Sequence, residues 1–119
     1  MSDEIRKALG DAGIDVDDLM DRLMGNMNLI SKFCKRFPDD LSYGKMLEGI
    51  NAGDVEMAFQ GAHSLKGVSA NLSMKSLVAK LVPVVEKLRA GELDGVEEML
   101  PAVTAEYQRV VEVIKNIQW

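Results

Sequence analysis

His63 is the only histidine among the chain's 119 residues, and it stands in the run Ala62-His63-Ser64-Leu65-Lys66-Gly67. A neutral imidazole has a nitrogen lone pair that can attack phosphorus in line and hold the group as a phosphoramidate. Histidines as a class titrate near neutrality, so that nucleophilic form is available in a cell. On a helix, Lys66 and Gly67 fall one turn beyond His63 and flank the same surface. Lys66 then places a fixed positive charge beside a developing dianion. Gly67 leaves room for an approaching protein, and it costs the helix about 1 kcal/mol against Ala. Ala70 keeps the next turn small. Nitrogen, cation and open space are what a phosphoryl acceptor on a helix requires.

Each of these residues also has a plainer reading. A single histidine on a helix is most often a surface residue without chemistry, and a lysine three residues on is common. A glycine inside a helix can serve close packing alone, which also suits Gly61. Lys32, Lys35 and Arg36 fit an acidic partner or a simply solvated face. The eight methionines read as adaptable core filler, and Cys34 reads as a small buried side chain.

The elements that must carry the histidine read as helices. Leu, Val, Met, Ala, Glu and Lys dominate, and aromatic residues are only 5%, which favours an all-α fold. Two short helices are expected first, Ile5 to Leu9 and then a segment capped by Asp15 and ended by Gly25. Asn26 caps the next segment, whose apolar stripe is Met27, Ile30, Phe33, Phe37, Leu41, Leu47 and Ile50, with a kink or tighter turn at Pro38. Asn51-Ala52-Gly53-Asp54 is a turn and N-cap that opens the histidine helix. On a helical wheel His63 falls at the edge of that helix's apolar face, with Gln60, Gly67 and Ala70 on its side. Ser73 is the expected cap of the following helix, bent at Pro83 and closed by Gly91. Asp94 with Glu97 resembles a capping box for the last helix, which carries Pro101. Short turns between long amphipathic helices predict an antiparallel four-helix bundle, about residues 26–118, with one or two short N-terminal helices in about 3–24. The whole of 1–119 reads as a single domain.

Composition narrows the function. A net charge of −5 argues against nucleic acid as a partner. One histidine and one cysteine are too few soft ligands for a zinc or iron site. No phosphate-cradling glycine loop or nucleophile elbow is present, so an enzyme with its own ATP site is not expected. No apolar run spans a bilayer, the acidic start is not a secretory leader, and a lone cysteine suits a reducing cytoplasm.

The run Ala62 to Leu72, with His63, Lys66 and Gly67 at its centre, resembles the signature of the histidine-containing phosphotransfer (HPt) domain family of two-component phosphorelays. The resemblance extends to Phe33, Phe37, Leu41, Leu47-Glu48 and the Asn51-to-Asp54 turn, and to Ser73–Arg89 and Asp94–Ile117. Family members often have Gly where Ala70 and Ser73 stand. The resemblance implies a phosphocarrier. His63 would take a phosphoryl group from the aspartyl phosphate of a response-regulator receiver domain, by family habit on Nε2, and pass it to a second receiver. Lys66 would steady the group and Gly67 would let the receiver dock. Mg²⁺ is expected on the receiver, with no cofactor on this chain. A hybrid sensor histidine kinase is a further expected partner. Gln60, Ser64, Ala70 and Asn71 are the expected docking rim, from their wheel positions. The chain is expected to be a free-standing monomeric carrier. The competing reading is a helical docking or regulatory module that binds a receiver or kinase without carrying phosphate.

Overall fold

Asp15, Asn26 and Asp54 each turn a side-chain oxygen onto the unpaired N–H groups at the start of a helix, and these caps set where the chain breaks. The computed structural model describes residues 1–119. It contains α1 (Asp3–Asp11), α2 (Val16–Arg22), α3 (Met27–Arg36), a single 3-10 turn (Phe37–Asp39), α4 (Ser42–Ala52), α5 (Val55–Asn71), α6 (Lys75–Arg89) and α7 (Val96–Asn116). There is no strand, and the fold is all-α as composition predicts. α4 packs on α5, α5 on α6 and α6 on α7, while α3 reaches α7. The short links between consecutive helices make these neighbours antiparallel. Leu65, Leu77, Leu81, Val84 and Val103 are fully buried between the helices. Tyr43 of α4 stacks on Tyr107 of α7 at 3.9 Å, and its hydroxyl shares a 2.8 Å hydrogen bond with Thr104.

Pro38 does more than kink the third segment. Proline lacks an N–H and disfavours helix in the residue before it, so α3 ends at Arg36 and a 3-10 turn follows. Asp40 is extended, and its Oδ1 accepts the Ser42 N–H at 2.9 Å to restart the helix as α4. Leu41, expected on the apolar stripe, is therefore turned outward and is 85% exposed. The other two prolines do not stop their helices. α6 runs through Pro83 and α7 through Pro101. Both prolines are exposed, as are Ala79 and Glu97 four residues before them, so water can reach the carbonyls they release.

Two expected caps are corrected. Ser73 does not cap α6: the cap position is Met74, fully buried and without a side-chain cap bond. Ser73 instead takes a left-handed conformation, φ 56°, and its hydroxyl donates to Asp18 of α2 at 2.6 Å. The Asp15 N–H donates to the Ser73 carbonyl, and the Ser76 N–H to the Gly13 carbonyl. These bonds fasten the α1–α2 pair to the α5–α6 turn. Asp94 and Glu97 form no capping box either. Gly95, at φ 82°, holds the cap position of α7 without a side-chain bond, a conformation that suits glycine and drops fully buried Val96 into the core. No helix is long and apolar enough to cross a membrane.

Candidate functional site

Two glycines on α5 have opposite surroundings, and the difference defines the site. A Cβ on Gly61 would collide with the backbone of Met46 in α4, and one on Gly49 of α4 would collide with the backbone of Ala58 in α5. These reciprocal gaps let α4 and α5 approach closely and fix the rotation of α5 about its axis. A Cβ on Gly67 would meet nothing within 4 Å. Packing explains Gly61 and leaves Gly67 without a packing role.

With α5 held this way, His63, Gly67 and Asn71 form a row of exposed positions four residues apart along its outer face. Gln60 and Ser64 are exposed beside it, and Lys66 and Ala70 are half-buried. Two of these residues are tied to α4: Lys45 Nζ donates to Gln60 Oε1 at 2.9 Å, and Ser42 Oγ donates to Ser64 Oγ at 2.9 Å. No carboxylate pairs with Lys66, so its positive charge is uncompensated, three residues along the helix from His63. The His63 ring stacks on Phe59, centroids 5.4 Å apart, and the Arg89 guanidinium of α6 lies over the Phe59 ring. The other soft nucleophile is out of play, because burial pushes the Cys34 thiol up to about 11.

Past Gly67 the same face opens into a cavity of about 350 Å³, lined by Leu23, Phe33, Arg36, Phe37, Asp40, Val68, Asn71 and Leu72. Asn71 is thus shared between the histidine row and the cavity, about 12 Å along the axis from His63. Three large apolar side chains are exposed in the chain, Met24, Leu41 and Val82. Met24 and Leu41 directly follow the lining residues Leu23 and Asp40.

The Hpt domain family model matches residues 28–113 of this chain, from the first turn of α3 nearly to the end of α7. The chain belongs to the Hpt domain family. Hpt domains are phosphotransfer modules of two-component phosphorelays, carriers and not kinases, and they interact with receiver domains and kinases. The match leaves α1 and α2 outside and contains every residue of the row. Neither a curated protein nor a solved structure matches the chain.

Sequence reasoning missed the stack of Phe59 with His63, although the four-residue spacing already puts the two rings together. Ser42, Lys45 and Arg89 carried no signal at all, because they arrive from α4 and α6.

Proposed function

We propose that this Hpt domain is a phosphorelay carrier that accepts a phosphoryl group on His63 from a receiver's aspartyl phosphate and passes it to another receiver. The observation that carries the reading is the pairing of the only histidine, exposed, with a glycine whose missing side chain faces open space. A lone pair on the imidazole forms the N–P bond as the P–O bond to the aspartyl carboxylate breaks. The carboxylate leaves with the bonding pair, and the proton on the other ring nitrogen passes to solvent. Onward transfer reverses these events at the second receiver's carboxylate. We assign the phosphoryl group to Nε2. Unpaired Lys66 offsets the charge that builds on it. Mg²⁺ belongs to the receiver's half of the site, and this chain needs no cofactor.

Gly67 marks where the receiver's surface comes closest. Gln60, Ser64, Ala70 and Asn71 form the rim around it, and the cavity beyond Asn71 takes an apolar side chain of the receiver. Exposed apolar side chains such as Met24 and Leu41 suit a protein contact. The carrier acts in the cytoplasm as a monomer, with residues 1–119 as one working domain.

The decisive experiment is transfer from a receiver preloaded with labelled phosphate to wild type and to His63→Gln. Acid-labile, base-stable label on the wild type and none on the variant is the expected result. Binding without label, across receivers that do phosphorylate other carriers, would replace the carrier with a docking module.

A further inference from the structure

We infer that Phe59 is a positioning residue for phosphoryl transfer, holding the His63 imidazole in one orientation through a ring stack that Arg89 anchors from α6. The inference rests on the carrier reading. Helical side chains lean toward the N-terminus, so His63 lies back over the residue four positions before it. The two ring planes are 20° from parallel at a centroid separation of 5.4 Å, an offset stack within the range aromatic pairs favour. The Arg89 guanidinium carbon stands 5.1 Å from the Phe59 centroid, within cation–π reach. Glu86, 3.5 Å from Arg89 Nε, holds the guanidinium in turn. Phe59 is half-buried and packed against the core, so the surface behind the imidazole is firm.

The need for such a support follows from the rest of the site. Gln60 and Ser64 are both held by α4, yet no side chain of the protein is hydrogen-bonded to the imidazole between them. The stack is then what restrains a ring on an exposed helix position. An imidazole lone pair lies in the ring plane, so a neighbour against the ring's face leaves the nucleophilic edge clear. In-line attack tolerates little error, since a misplacement of about 1 Å can slow a reaction ~10²-fold. A ring held by its face and free at its edge meets both demands.

The test uses the full chain with Phe59→Leu, which keeps apolar bulk and removes the aromatic face, and Phe59→Tyr, which keeps the face. Because His63 is the only histidine, its ring protons are isolated NMR resonances. Single-turnover phosphorylation is followed with two donors: a phosphorylated receiver, and phosphoramidate, which needs no docking surface. With phosphoramidate the donor N–P bond breaks as the His63 N–P bond forms, and ammonia leaves carrying the displaced proton. In Phe59→Leu we expect the His63 resonances to move downfield as ring-current shielding is lost. Both phosphorylation rates should fall together by about tenfold, and Phe59→Tyr should restore resonances and rates. Arg89→Met should move the resonances in the same direction. Unmoved resonances in Phe59→Leu, or moved resonances with wild-type rates, overturn the inference alone. A wild type that accepts phosphoryl from neither donor overturns the carrier reading and this inference with it.

Discussion

At the scale of single residues, α5 offers a controlled comparison in its own two glycines. Gly61→Ala drives a methyl group into the Met46 backbone, and thermal or urea melts should show a loss of about 1–3 kcal/mol from overpacking. Gly67→Ala adds a methyl group in open space, and the same melts should show a gain of up to about 1 kcal/mol from helix propensity. Gly67→Gln should fold equally well but slow transfer from a phosphorylated receiver about tenfold, equivalent to ~1.4 kcal/mol, leaving phosphoramidate labelling unchanged. Slowing with both donors would mean that Gly67 acts on the imidazole and not on the partner. The grouping of His63, Lys66 and Gly67 on one turn of α5 was legible beforehand, because residue spacing within a helix dictates proximity. Gly61 and Gly67 could not be told apart, since only the position of α4 separates them.

Among the elements, the join between α2 and the α5–α6 turn has its own acid–base signature. The Ser73 hydroxyl and then the Arg22 guanidinium, with Lys75 nearby, hold the Asp18 carboxyl down from 3.8 to about 2. A carboxyl lowered by folding stabilises the native state above its unfolded value, and that contribution is lost as pH falls through the folded value. The stability advantage of wild type over Asp18→Asn should therefore be present above pH about 4 and shrink toward pH about 2. Urea melts across that range measure it, and a difference that does not change with pH would remove the carboxylate from the account. Helix type and order at this scale followed from apolar periodicity and caps. Ser73 was misassigned because a serine before a helix has an alternative to capping, and here Asp18, 55 residues away in sequence, provides it.

Over the whole molecule, the feature that belongs to no single element is the cavity lined from α3, the 3-10 turn and α5, whose lining residues Leu23 and Asp40 directly precede exposed Met24 and Leu41. Both side chains are at least 85% exposed, so Met24→Ser and Leu41→Ser should shift stability by no more than about 0.5 kcal/mol. If the receiver docks there, each variant should raise the KM for the phosphorylated receiver severalfold while phosphoramidate labelling stays at the wild-type rate. Unchanged KM values in both variants would move the docking surface elsewhere. Apolar patterning put Leu41 inside the core, and the break at Pro38 put it outside. The whole-molecule consequence of that break is an exposed Leu41 directly after the cavity-lining Asp40.

What the sequence determined by itself was whatever depends on residues near one another along the chain. That covers the helical class, the caps at Asp15, Asn26 and Asp54, and the His63–Lys66–Gly67 cluster, all set by 3.6-residue periodicity and local hydrogen bonding. Tertiary structure alone decided which glycine is a packing gap and which is open, and that Ser73 serves Asp18. It also decided that Ser42, Lys45 and Arg89 gather around α5. Those outcomes depend on how α4 and α6 dock against α5, and that docking is set by the summed fit of many weak contacts that no short stretch of sequence contains.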